Sequence, residues 1–426
     1  MEQVVWQALN EAAQQKVLQR NQLVADATLS PTVTNIIGQV RTEKDSALRE
    51  FAKQFDKHEL NDIVVNPSDL QAIELPDALV AAIDQAIDNI RRFHNAQTSA
   101  PIKVETQPGI VCELRSEPIE SVGLYVPGGS APLISTVLML AVPAKIAGCK
   151  RIVLASPPPI NPAILYAAKA CAVSEIVQVG GAQAIAAMAY GTESVPKVDK
   201  IYGPGNRYVT EAKTQVSLDP QGASIDMPAG PSEVLVIADD QASEQFVAAD
   251  LLSQAEHGED SQAMLVCLSC AFADRVQDAV QQQLQQLPRA EIAAKALASS
   301  RIIVVEDISQ AIAVSNRYAP EHLILQTESN QTVLAGIRNA GSVFVGPYSP
   351  ESVGDYASGT NHVLPTYGFS KTVSSLSLAD FQRRFTVQTL SKNGLMKIAD
   401  SVMTLANAEG LNAHENAVAV RLKELS

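Results

Sequence analysis

Aromatic residues are scarce in this chain: they make up 4% of its 426 residues, with a single Trp. Positive charge is in the minority as well, 32 Lys and Arg against 46 Asp and Glu, for a formal net charge of −14. Nucleic-acid binding draws on a basic stripe for phosphates and on aromatic faces for bases, and neither is available. A small soluble substrate is the better expectation. Cysteine is sparse and odd in number, five in all, which fits reduced thiols rather than a disulfide framework. Cys267 and Cys270 have C-x-x-C spacing, but they lie in the apolar run AMLVCLSC. Residues three apart on a strand face opposite ways, and no second Cys pair accompanies them, so a thiolate metal or redox centre is not expected. Long hydrophobic runs are missing too: the most apolar stretch, Thr136 to Gly148, is interrupted by Pro143 and Lys145 and does not read as membrane-spanning. The opening MEQVVWQALNEAAQQ is polar and acidic where a secretory leader is basic and then apolar, so a cytoplasmic location is expected.

What is present is a globular composition, 46% hydrophobic and 18% charged, which excludes disorder. At roughly 150 residues per domain the length suggests about three domains. From Lys150, short apolar runs alternate with helical stretches: RIVLAS, NPAILYAAKACA, EIVQVG, AQAIAAMAYG, DKIYG, NRYVTEAKTQV. Each parallel strand needs a crossover helix to return, so the pattern predicts an α/β unit with a parallel sheet. It restarts after Ser232 with EVLVIA, AMLVCLS, RIIVVED, HLILQT and SVFVG separated by helical stretches, a second unit of similar build. Residues upstream of Gly123 read as mostly helical, with one long helix from Asp77 to His94, and are expected to complete the second unit's sheet. The Gly/Ser/Pro-rich stretch Gly346 to Gly368 reads as a long functional loop. The tail from Ser377 reads as helical, with a tight turn at NAEGLNAHENA between two helices, the last opening on a capping-box pair, Asn412 and Glu415.

Candidate chemistry begins with Gln254 and His257. They stand three residues apart at the end of a helix that Gly258 stops, on one face, where they can grip one ion. A solvated Gln/His pair is the bland alternative. His58 and His94 sit among charged residues on helical stretches and read as solvated. Pro320-Glu321-His322 precedes the strand LILQT and puts a carboxylate beside an imidazole, two groups able to move protons near neutral pH; a solvated Glu/His pair at a strand start is the alternative. His414 falls near a helix start, where the dipole keeps imidazole neutral and fit to bind metal, and Asp355 offers a loop carboxylate. Gln254, His257, Asp355 and His414 form a nitrogen and oxygen donor set without thiolate, which suits zinc, with manganese or cobalt as competitors. Three Gly-rich turns, GLYVPGG, VGGAQ and GPGN, punctuate β-to-α passages where amides and helix amino ends can hold a phosphate. None matches G-x-G-x-x-G.

With these residues assembled, the chain resembles the histidinol dehydrogenase family. The stretch Ile225 to His257 is similar to that family's signature, and GLYVPGG, VGGAQAIAA, YGPGN, RYAPEHL, GDYASGTNHVLPT and LNAHENA support it, over roughly Leu124 to Ala419. The resemblance implies a zinc- and NAD-dependent four-electron oxidation of L-histidinol through L-histidinaldehyde to L-histidine, with two NAD consumed and one zinc per subunit. It implies Gln254, His257, Asp355 and His414 as zinc ligands and Glu321 and His322 as the acid/base pair. Ser232 and Glu409, with the ligands and the pair, would touch substrate, and Tyr125, Gln183 and Asn206 would line the NAD site. The implied fold is two incomplete Rossmann-like parallel-sheet domains with small helical extensions at both ends. The expected division is an extension over 1–21, a discontinuous domain of 22–124 plus 234–376, an NAD-binding domain over 125–233 and an extension over 377–426. A homodimer is implied, with Glu409 and His414 of one chain in the partner's site. The rivals are a metal-dependent hydrolase, in which Glu321 activates water and the Gly turns are mere turns, and a non-catalytic α/β protein with a closed structural metal site.

Overall fold

The computed structural model describes residues 1–20, 28–128, 132–227 and 230–424. Gly129 of the GLYVPGG turn and Pro228-Ala229 of the Ile225–His257 stretch lie outside the described residues. Two six-stranded sheets carry the fold. The first runs Glu2–Val5, Arg301–Val304, Gln262–Cys267, Glu233–Ala238, His322–Gln326, Ser342–Val345, all parallel. Its central strands Glu233–Ala238, Gln262–Cys267 and His322–Gln326 are buried at every position because helices cover both faces, with polar side chains confined to strand ends. Along Glu233–Ala238, Val234, Val236 and Ala238 pack toward the helices Glu244–Ala255 and Cys270–Leu284, while Leu235 and Ile237 pack toward Trp6, Tyr318 and Val333. Each fully buried aliphatic side chain of this kind contributes roughly 1.5–3 kcal/mol.

The second sheet runs Val64–Val65, Glu175–Val177, Arg151–Ala155, Ser121–Tyr125, Lys200–Tyr202, Ser224–Ile225. It is parallel except for the Val64–Val65 edge. Leu124, Leu154 and Ile176 face the helices Ile134–Ala147 and Pro162–Ala170, and Tyr125, Val153, Val177 and Ile201 face Gly181–Tyr190 and Arg207–Leu218. The α/β class is thus as the alternating pattern predicts. Among the described residues no helix is long and apolar enough to cross a membrane.

The terminal and upstream segments differ from expectation. Residues 28–95 join the 121–225 unit and not the 234–345 unit. Val64–Val65 pairs with Val177 and Ile176. The helices Leu29–Glu43 and Asp45–Phe51 bury Val33, Val40, Leu48 and Phe51 against the helix Gly181–Tyr190, and Asp77–Asn95 lays Ile83, Ile87 and Ile90 on Ile134–Ala147. An amphipathic stripe states that a face is buried but not which sheet it covers. The N-terminal extension is not purely helical, since Glu2–Val5 joins the first sheet beside Arg301–Val304. The C-terminal tail is not purely helical either. Gln382–Leu390 is a strand that pairs antiparallel with Ile110–Pro118, which in turn pairs with Ile102–Gln107. The helices Lys392–Ala408 and Asn412–Lys423 follow as expected, but Leu411 occupies the cap of the second and no side chain caps it.

The two sheets present opposite edges to function. Tyr125 and the turns before the helices at Gly181 and Arg207 lie at carboxyl ends of strands, the ordinary ligand edge of an open α/β sheet. Ser232, Glu321 and His322 lie at amino ends of their strands, and Gln254 lies at the carboxyl end of a helix running back toward that edge. The helix Ile134–Ala147 joins them: its Thr136 Oγ1 lies 3.4 Å from His362 Nε2, whose Nδ1 lies 3.0 Å from the carbonyl of Asp355.

Candidate active site

His322 is the centre of the constellation. It opens the strand His322–Gln326, is buried, and has its Nδ1 3.1 Å from the carbonyl oxygen of Glu233 on the neighbouring strand. A carbonyl can only accept, so that contact puts the proton on Nδ1 and leaves Nε2 as the lone-pair nitrogen of the neutral ring. Nε2 lies 3.7 Å from Asp355 Oδ1, while Glu321 Oε2 and Glu351 Oε1 lie 3.7 and 3.8 Å from Nδ1. Burial works against an imidazolium here. Glu351, Glu321 and Asp355 outweigh it and hold the pKa of His322 well above the usual value.

Glu321 is buried and its Oε2 accepts the Glu233 N–H at 2.8 Å. Burial pushes its carboxyl up to about 8, with His322 opposing. Burial likewise pushes Glu351 up to about 7, again opposed by His322. Asp355 resists its own desolvation because the imidazoles of His322, His362 and His257 surround it, and its pKa is lowered. The cluster therefore keeps carboxyl groups that take up and release protons near neutral pH beside an imidazole, as proton transfer requires.

Gln254 and His257 stand next to this cluster, although the helix stops short of the Gly258 read as its end, so a shared helical face is not what pairs them. Ser243 caps the helix by accepting from Phe246 N, the helix ends at Ala255, and a turn carries His257. Gln254 Nε2 lies 3.3 Å from His257 Nδ1, and Gln254 Oε1 is buried with no hydrogen-bond partner among the described residues. Desolvation lowers the pKa of His257, with Asp355 opposing, which favours neutral imidazole. Ligand atoms of His257, Glu351 and Asp355 all lie within 4.8 Å of one another. An orphaned amide oxygen, a neutral imidazole and an ionised carboxylate fit a divalent ion of zinc's kind.

Glu351 was not among the candidates read from sequence. The stretch 346–368, read as loop, contains the helix Glu351–Tyr356, so Glu351 and Asp355 fall four apart on one helical face. His362 is a second omission: it reaches both Thr136 and Asp355, and desolvation lowers its pKa. His94, read as solvated, is fully buried, with Nδ1 2.9 Å from the Ile90 carbonyl. His414 and Glu409 do not join the cluster within this chain. Both are exposed on the C-terminal helical hairpin, whose entry at Ser391 is bonded to Gly109. Ser232 is half-buried beside Glu233, its carbonyl accepting from Gln262 N.

At the edge of the second sheet, Tyr125 is buried and its hydroxyl accepts the Gly181 N–H at 3.0 Å. Gln183 is buried in the first turn of that helix, and Asn206 caps the next, its Oδ1 accepting from Tyr208 N and Val209 N. Gly203 has φ +117°, and a Cβ there would sit 2.1 Å from the carbonyl oxygen of Tyr125, so only glycine lets the two turns approach. The three candidate cofactor residues thus gather where two helix amino ends face outward.

Asp250, buried in the Gln254 helix, receives Gln326 Nε2 at 3.2 Å, yet burial pushes its carboxyl from the ordinary 3.8 up to about 6. The folded state then binds the proton more tightly than the unfolded one, so stability falls as pH rises between those two values and levels off above. Asp250→Asn should be more stable than the parent by up to roughly 3 kcal/mol near pH 8 and near-equal at about pH 4. Urea denaturation at the two pH values checks this; an equal gain at both would contradict it.

A parallel-sheet unit edged by helix amino ends, joined to one that encloses a proton-transfer cluster and a metal-compatible donor set, is the build of an α/β oxidoreductase. Comparison with known proteins agrees. The family model for histidinol dehydrogenase matches residues 18–422, and the chain belongs to that family. It is 60% identical over 436 residues to the histidinol dehydrogenase of Shewanella oneidensis, covering 100% of both chains. It is 58% identical to that of Vibrio vulnificus over 428 residues, covering 100% of this chain and 99% of the other. The crystal structure of the enzyme from Elizabethkingia anophelis superposes with a TM-score of 0.96 at 47% identity, covering 100% of this chain and 98% of that one.

Proposed function

We propose that this protein is a cytoplasmic, homodimeric enzyme that oxidises L-histidinol through L-histidinaldehyde to L-histidine at the end of histidine biosynthesis, consuming two NAD per turnover and holding one zinc per subunit. The observation that carries the reading is His322, buried between Glu321, Glu351 and Asp355 and next to Gln254 and His257. Family membership over residues 18–422 supports the same substrate.

In this reading Gln254, His257 and Asp355 hold zinc with the partner's His414 as fourth ligand, and Ser232 and the partner's Glu409 contact the substrate. Tyr125, Gln183 and Asn206 line the NAD site. Bound there, zinc would supply coordination sites for the substrate's amine and imidazole nitrogens, which are good nitrogen donors, and NAD would supply the hydride acceptor for each oxidation. His322 Nε2 removes the hydroxyl proton as the alcohol carbon gives up its hydrogen and becomes the aldehyde. Glu321 then takes a proton from the water that adds to the aldehyde, and His322 removes a hydroxyl proton from the resulting hydrate as the acid forms. One imidazole thus serves both halves, and one carboxylate serves only the hydrated half.

A zinc hydrolase would turn over without NAD. Purified protein given zinc and L-histidinol should form no histidine until NAD is added; product without NAD would sink the dehydrogenase reading.

A further inference from the structure

We propose that Arg20 is a positioning residue for the Glu321–His322 pair, acting through Glu233. The inference rests on the reading of that pair as the proton-transfer groups. Both side chains lean on the main chain of Glu233: its N–H donates to Glu321 Oε2 at 2.8 Å and its carbonyl oxygen lies 3.1 Å from His322 Nδ1. Where that residue sits therefore sets the direction of the carboxylate and the tautomer of the imidazole.

Glu233 is the first residue of its strand, where the sheet ladder holds it least, and its carboxylate is anchored elsewhere. Arg20 grips it with two parallel bonds, Nε to Oε1 at 2.5 Å and Nη2 to Oε2 at 2.8 Å, and Tyr367 N donates to Oε1 at 2.9 Å. The side chains of Arg20 and Glu233 are 16% and 2% exposed, so the pair is shielded from water. The same Nη2 donates to the carbonyls of Tyr318 and Ala319 at 2.9 and 3.2 Å, and the guanidinium lies 4.1 Å from the centre of the Tyr318 ring. Ala319 has φ +57°, a left-handed conformation unusual for alanine, and it leads through Pro320 into Glu321. One planar cation thus ties the entry of the Glu233 strand to the entry of the His322 strand, the two pieces of backbone whose relative position aims the pair. Lysine could not reproduce this, because a single ammonium has no fork to hold both carboxylate oxygens.

The test uses the full-length, zinc-loaded protein with Arg20→Ala and Arg20→Lys. A displacement near 1 Å at a reacting group costs on the order of 10²-fold in rate, so kcat should fall about 30–100-fold in Arg20→Ala. KM for histidinol should stay within about threefold and zinc per chain should hold, since no substrate or metal contact is removed. Millimolar guanidinium should recover part of kcat where sodium chloride of equal ionic strength does not, and Arg20→Lys should fall between. The inference is overturned by kcat within about twofold of the parent, or by kcat, zinc content and Tm falling together without guanidinium rescue. If Arg20→Ala fails to fold, Glu233→Gln carries the test: it keeps the peptide and loses the ion pair, and should show the same loss confined to kcat. A parent protein that does not oxidise histidinol at all would sink the functional reading instead, whatever the variants do.

Discussion

His322→Asn should slow both oxidations by about 10²–10⁴-fold, the usual contribution of a positioned general base. Glu321→Gln should leave the alcohol step near the parent rate and impair mainly the aldehyde step. The asymmetry follows from where each group is held. His322 has Nδ1 against the Glu233 carbonyl and Nε2 directed at Asp355, so the basic nitrogen points toward the donor set that would hold the substrate. Asparagine keeps a hydrogen bond but has no basic nitrogen. Glu321 has one oxygen occupied by the Glu233 N–H, and burial pushes its carboxyl up to about 8. That gives it more affinity for a proton than an ordinary carboxylate, which suits drawing one from water. Steady-state rates measured separately with histidinol and with histidinaldehyde read the split; equal losses on both substrates in Glu321→Gln would contradict it.

The second large effect concerns the metal and the dimer. His257→Ala should abolish zinc retention and histidinol binding together, because in the proposed site the imidazole is one of four donors and the metal would hold the substrate. Full histidinol affinity without metal would refute that role. His414→Ala should do the same, although His414 is exposed and far along the chain on the C-terminal hairpin. If the partner's His414 completes each site, the two inactive variants should complement. In a dimer of one His257→Ala chain and one His414→Ala chain, one site keeps all its ligands and the other loses two. Random reassociation of equal amounts should therefore restore about 25% of parent activity and zinc, from half the dimers with one good site of two. No recovery in mixtures shown to contain mixed dimers would mean that each chain builds its site alone, with Glu351 the candidate for the missing ligand.

The parts of the site that were legible in the sequence are those fixed by local spacing. Gln254 and His257 three apart before Gly258, and Glu321-His322 after Pro320, sit at element ends that the apolar pattern marks by itself. Glu351 was illegible because SPESVGDY reads as loop chemistry, and only the helix Glu351–Tyr356 brings it beside Asp355. His94 was misread because its charged neighbours Arg91 and Arg92 face outward while His94 turns in beside Ile90. The sheet membership of residues upstream of Gly123 depends on contacts made a hundred residues later, such as Val64 with Val177. The strand Gln382–Leu390 does carry a period-2 signal in Phe385, Val387 and Thr389, yet its polar start, Gln382 to Arg384, hid it, and its partner lies at Ile110–Pro118. Arg20 carried no signal at all, since a lone arginine in a polar stretch reads as solvated until the fold sets it against Glu233.

The central claim is a four-electron oxidation at one site, and its stoichiometry tests it most directly. Purified protein incubated with zinc, excess NAD and a limiting amount of L-histidinol should form two NADH for each histidine, with no free aldehyde accumulating. One NADH per histidinol with aldehyde released, or histidine formed without NADH, would contradict it.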